Sequence, residues 1–180
     1  MNALIAIAHG SESLEAVAVV NVLRRADVAV TVASVERELK VDGTRGIPLM
    51  ADVLFEDVAR REFDAIVLPG GEKGAERLAQ CKPLIEKLRA QRVAHKWYGA
   101  ICAAPALTLS PHGLLDGKQA TCYPAFRDKL LHYVDRDVVV DGHCVTSQGP
   151  GTALRFGLKL VEALCGVEKA RAVGAQMLVS

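Results

Sequence analysis

Two kinds of hydrophobic pattern alternate along the chain. Residues 3–8, 28–33 and 64–68 are short apolar runs, several β-branched, with the length and composition of strands buried on both faces. Between the first two, Leu14, Val17, Val20, Val22 and Leu23 recur at helical spacing up to Arg24 and Arg25, and Ser11 or Ser13 is available to cap the start. Further helices are predicted over 74–80 and 83–90, and a strand over 98–101. Residues 138–141 and 143–147 flank Asp141-Gly142, a hairpin signal that predicts an antiparallel extension of the sheet. A helix over 153–164, stopped by Gly166, closes the pattern.

Strand, helix, strand is the rhythm of a parallel sheet. It predicts one α/β domain over residues 1–180, with a mostly parallel central sheet. Residues 35–57 are the least periodic stretch, mixing charges with Gly43, Gly46 and Pro48, and are read as short strands and loops.

Composition narrows the function classes. The chain is 51% hydrophobic but only 4% aromatic, so its core must come from aliphatic side chains. Twenty-two basic and 21 acidic residues leave a net charge of +1, which offers nothing to attract nucleic acid or an anionic membrane, and sequence-specific nucleic-acid binding is not expected. No window approaches the roughly 18 apolar residues of a membrane span, and residues 3–8 lack the basic flank of a signal peptide. Five scattered cysteines, with no C-x-x-C pair, argue against a disulfide framework or zinc knuckle and fit a reducing cytoplasm. For each cysteine the default is a small buried hydrophobe.

In open parallel sheets, ligands bind beyond the carboxyl ends of the strands. Three strand ends carry chemistry-bearing residues. In Ala100-Ile101-Cys102-Ala103-Ala104-Pro105 the small residues Ala100 and Ala104 flank Cys102 as a nucleophile elbow requires. A helix beginning just after Cys102, with Pro105 in its first turn, would aim N–H groups at the sulfur and lower its pKa. These residues alone leave an activated thiol and a buried structural one equally open. Pro69-Gly70-Gly71 ends another strand, where the backbone could approach a reacting group and present an N–H, although tight turns use the same residues. Glu15, just inside the first helix, could face Cys102. To support a thiolate it would have to be protonated, whereas an exposed acid at a helix start is the commoner case. The five histidines show no metal-ligand spacing, and neither a metal nor a cofactor is expected.

With these residues in place the chain resembles the DJ-1/PfpI superfamily, and within it the bacterial YajL-like branch. The resemblance rests on Gly10-Ser11-Glu12-Ser13-Leu14-Glu15, on Val67-Leu68-Pro69-Gly70-Gly71, on the Cys102 segment, and on Thr146-Ser147-Gln148-Gly149-Pro150-Gly151-Thr152, in this order and spacing. It implies a flavodoxin-like three-layer sandwich with helices on both sheet faces, paired as a homodimer. It also implies Cys102 as the reactive cysteine, Glu15 as its protonated partner, and backbone donors at Gly71 and Ala103. Gly70, Cys122, Tyr123 and Pro124 would line the site. Where many members carry a histidine before the proline, this chain has Tyr123-Pro124. A tyrosine is a poor general base near neutrality, so a Cys–His dyad and peptidase activity are not expected. Cys122 is either a resolving thiol or a structural one.

Two functions then compete. In the first, Cys102 attacks methylglyoxal or its early adducts on proteins and nucleotides, with Glu15 relaying a proton, as in deglycase or glyoxalase chemistry. In the second, Cys102 is oxidised to sulfenic and sulfinic acid, and the output is chaperone activity toward unfolded client proteins.

Overall fold

A computed structural model describes residues 1–179. Its central sheet has seven strands: β1 (Asn2–Ile7), β2 (Ala29–Ser34), β5 (Val53–Leu54), β6 (Ala65–Leu68), β7 (Trp97–Ile101), β8 (Val138–Asp141) and β9 (Cys144–Ser147), in the order β5-β2-β1-β6-β7-β9-β8. All neighbours are parallel except β8 and β9, which form the antiparallel hairpin read from Asp141-Gly142. Two further short strands, β3 (Lys40–Asp42) and β4 (Pro48–Met50), form a separate hairpin.

β1 explains why its run is apolar throughout. Leu4, Ala6 and Ala8 join the core on one sheet face, while Ala3, Ile5 and Ile7 join the core on the other. The first core is closed by α2 (Phe55–Val58), α3 (Glu72–Gln80) and α4 (Lys82–Val93), which contribute Phe55, Leu78, Leu84 and Leu88. The second is closed by α1 (Ser13–Arg25), α5 (Ala153–Cys165) and α6 (Val167–Gln176), through Val19, Leu23, Phe156 and Leu160. The three-layer α/β sandwich implied by the resemblance is the observed fold.

Several elements differ from the sequence reading. The cap of α1 is Glu12, whose side chain accepts the Leu14 N–H at 3.3 Å. Ser11 instead accepts the Ala8 N–H, and Ser13 donates to the Ile47 carbonyl. Of the predicted stripe on α1, Leu14 and Val17 are more than half exposed, at 54% and 55%, and the core is filled by Ala16, Val19, Val22 and Leu23. The helix therefore carries apolar side chains on a second, outward face. Gly166, at φ 91°, ends α5 but also starts α6, a helix the sequence reading omits. Only Ala170, Val173 and Gly174 of α6 are buried, too sparse a set to give a helical period.

No described helix is long and apolar enough to cross a membrane.

Candidate active site

β1, β6 and β7 are adjacent in the sheet, and the chain leaves β1 toward β2 on one side while β6 lies on the other. Their carboxyl ends thus meet at a topological switch point, where open sheets place ligands. This register brings the loop after β1, the Pro69-Gly70-Gly71 turn after β6 and the Cys102 turn after β7 to one place.

Cys102 adopts a left-handed backbone with φ 65°, a conformation rare outside glycine and costing about 1–3 kcal/mol unless its surroundings enforce it. Here they do. The Cys102 N–H donates to the Ser147 carbonyl at 2.9 Å, and its carbonyl accepts the Tyr123 N–H at 2.8 Å. The turn projects a half-buried thiol toward Glu15 and the N–H groups of Gly71 and Ala103.

Glu15 has no exposed surface. Its Oε2 accepts the Gly70 N–H at 2.7 Å. Its Oε1 is buried with no hydrogen-bond partner, and the Cys102 thiol interacts with the carboxyl and lowers its pKa. Glycine is required at 70 for this approach, since a Cβ there would lie 2.5 Å from Cys102 Cβ and 2.8 Å from Glu15 Oε2. Gly71 has φ 80°, and a Cβ on it would lie 2.1 Å from the Gly10 carbonyl oxygen.

Electrostatics at the pair depart from the sequence expectation. Burial pushes the Glu15 carboxyl up to about 7, against the Gly70 N–H and the Cys102 hydrogen bond, which lower it, and with the Glu12 charge, which raises it. Burial also pushes the Cys102 thiol up, to about 12, and a charged Glu15 acts in the same direction, whereas the Gly71 and Ala103 N–H groups pull it down. A thiol pKa depressed by a helix terminus is therefore not what the site provides. After Cys102 the helix starts at Ala104 and runs on with right-handed helical backbone at Leu109 and Ser110, wound as a π-type turn over Pro105–Leu109 and a 3-10 turn over Ser110–His112 and ended by Gly113 at φ 71°. Desolvation of the sulfur outweighs the pull of the N–H groups that face it.

A cleft of about 1120 Å³ opens over the thiol. Besides Cys102, Gly71, Ala103 and Tyr123, its walls include His9, Glu12, Thr44, Arg45, Lys73 and Phe126. Gly70, Cys122 and Pro124 are not among them: Gly70 is buried against Cys102 and Glu15, and Cys122 is fully buried, with its thiol turned to the Tyr123 carbonyl and pushed up to about 12 by burial. Among the described residues no group of three or more His, Cys, Asp or Glu side chains is placed to hold a metal.

The β3–β4 hairpin supplies the wall the sequence reading missed. It is strapped to the loop after β1 by Gly10 N–H to Asp42 O at 2.7 Å, Asp42 N–H to His9 Nδ1 at 3.0 Å, and Thr44 Oγ1 to Glu12 Oε2 at 2.7 Å. These are contacts between distant segments, and only Gly43 and Gly46 mark the turn in the sequence.

Comparison with known proteins places the chain in a family. The model of the DJ-1/PfpI family matches residues 1–163. Protein DJ-1 homolog A of Arabidopsis thaliana is 48% identical over 98% of this chain, which spans only 45% of that relative's length. The glutathione-independent glyoxalase DJR-1.2 of Caenorhabditis elegans is 37% identical over 88% of this chain and 86% of its own. The structure of oxidised Toxoplasma gondii DJ-1 superposes with a TM-score of 0.98 at 40% identity, covering 99% of this chain and 98% of that one. The chain belongs to the DJ-1/PfpI family.

Proposed function

We propose that this protein acts in carbonyl and oxidative stress by glyoxalase- or deglycase-type chemistry, with Cys102 as nucleophile and Glu15 as the group that moves its proton. The observation that carries the reading is a carboxyl raised to about 7, sealed from water beside the thiol at the floor of an open cleft. A base poised near neutrality suits a thiol that burial keeps protonated. As Sγ adds to the aldehyde carbon of methylglyoxal, Glu15 takes the thiol proton and returns it to the new alkoxide. This addition gives a neutral, enzyme-bound hemithioacetal as the first intermediate, which must be converted and hydrolysed by water for the enzyme to turn over. The Gly71 and Ala103 N–H groups, which already point at the sulfur, are near enough to stabilise the alkoxide while it lasts. The name of the nematode relative supports a glutathione-independent activity of this class, and neither a metal nor a cofactor enters the scheme. An open cleft also suits adducts carried on proteins or nucleotides.

A second reading follows from the same thiol. Two backbone N–H groups and a protonatable carboxyl would stabilise a sulfinate on Cys102, so oxidation could switch on binding of unfolded clients. The outward apolar face of α1, continued by Met50 at 68% exposure and a groove of about 580 Å³, supports a homodimer. A cytoplasmic setting is retained from the unpaired cysteines.

Steady turnover of methylglyoxal by the pure protein, lost in Cys102→Ala and in Glu15→Gln, is the expected result. Background turnover only, with peroxide-dependent suppression of client aggregation, would favour the second reading.

A further inference from the structure

At the end of the sheet remote from the cleft, two turns lie side by side. One ends α4: His95 takes a left-handed φ of 54°, its N–H donates to the Arg92 carbonyl at 3.2 Å, and the Lys96 N–H donates to the Gln91 carbonyl at 3.0 Å. Glycine is the usual residue at such a position. The other is the tight turn between β8 and β9, which ends in His143. Because β7 and β9 are parallel neighbours, and the Tyr98 N–H donates to the His143 carbonyl at 3.0 Å, the two turns are held in register.

The result is a pair of imidazoles with ring centres 5.9 Å apart, beside the Trp97 indole at 5.0 Å from His143. A metal about 2.0 Å from an imidazole nitrogen lies about 3.2 Å from the ring centre, so two imidazoles on one ion have centres roughly 4.5–6.5 Å apart. The observed separation falls in that span. His95 is exposed and His143 half-buried, which leaves an approach from solvent. The rings of His9 and His112 are engaged by hydrogen bonds, whereas among the described residues those of His95 and His143 are engaged by aromatic packing alone.

We propose that His95 and His143 form a surface site for a divalent transition ion that favours imidazole, such as Cu²⁺, Ni²⁺ or Zn²⁺, with water completing the coordination. Imidazole nitrogen is a preferred donor for these ions, and Cu²⁺ should bind most tightly. The two histidines are far apart in sequence, so no ligand spacing announces them. The site is separate from Cys102, which lies at the opposite end of β7.

Trp97 is the chain's one tryptophan and reports on the site. Titrating the full chain with Cu²⁺ is expected to quench its fluorescence saturably at one equivalent, and the bound ion should show nitrogen hyperfine structure in its electron paramagnetic resonance spectrum. Cys102→Ala should leave the curve unchanged, and His143→Ala should weaken binding at least tenfold. His95→Gly is the decisive variant, because glycine suits the left-handed position and the fold is retained while the ligand is lost. Binding that persists within threefold in a folded His95→Gly protein, or that disappears in Cys102→Ala, would overturn the proposal.

Discussion

The Gly70 N–H donates to Glu15 Oε2 at 2.7 Å and fixes a fully buried carboxyl beside the Cys102 thiol, with Oε1 left without a partner. The acid is thereby oriented by one strand end and used at the next. Its environment raises its proton affinity into the range where it both takes and gives a proton near neutral pH.

Replacing Glu15 by Gln keeps an oxygen to accept the Gly70 N–H but removes the proton carrier. Turnover of methylglyoxal is expected to fall by about 10²–10⁴-fold, the usual contribution of a positioned acid–base group. Circular dichroism and the melting curve should stay those of a folded protein. Unchanged turnover in a folded Glu15→Gln variant would remove Glu15 from the mechanism.

Stability should carry the mark of the same carboxyl. Its folded pKa, about 7, lies above the ordinary value of 4.5, so the folded state binds its proton more tightly than the unfolded chain does. The stabilisation is complete below pH 4.5, declines as pH rises and is lost through pH 7, amounting to about 3 kcal/mol at most. Urea unfolding across this window should show a decline in wild type that Glu15→Gln lacks. Parallel pH profiles would mean the carboxyl is not perturbed.

At Gly70 the site depends on an absent side chain. Because an added Cβ would overlap Cys102 Cβ and approach Glu15 Oε2, Gly70→Ala should lower stability by about 1–3 kcal/mol, as overpacking does, and abolish turnover. Chemical denaturation checks the first and a methylglyoxal assay the second. A fully active and equally stable variant would contradict the packing described.

Glu36 shows the opposite electrostatic sign. The Arg77 guanidinium, held by two contacts of 2.6 Å, lowers its pKa, and the carboxylate also accepts the His9 N–H at 3.0 Å. A depressed folded pKa gives stability that is present above the ordinary carboxylate range and lost as pH falls through the folded value. Glu36→Gln should therefore destabilise at neutral pH by about 0.5–1 kcal/mol, since the half-exposed Arg77 is screened by solvent, and flatten the acid limb of the stability curve. Equal acid limbs in the two proteins would show that the pair contributes nothing.

Much of this architecture is legible in the sequence, and what escapes it has physical causes. The runs 3–8 and 64–68 announce strands buried on both faces because every apolar residue in them meets a core. Ala100 and Ala104 around Cys102, with Gly70 and Gly71 opposite, announce a crowded turn because only small residues tolerate the approach. The cleft wall from β3 and β4 is invisible because Asp42 and Thr44 act through partners some thirty residues away. The sign of the Cys102 shift escapes as well: local sequence shows a helix start, but desolvation depends on everything packed around the sulfur. The outward stripe of α1 reads as a core face because periodicity does not say which of two apolar faces is covered.

The dependence of Cys102 on Glu15 is tested most directly by the rate of Cys102 alkylation as a function of pH, measured for wild type and Glu15→Gln. In wild type the rate should rise through an apparent pKa near 7 that belongs to the pair, and in Glu15→Gln that step should vanish, leaving reactivity that grows only at alkaline pH. Superimposable profiles for the two proteins would contradict the proton transfer on which the mechanism rests.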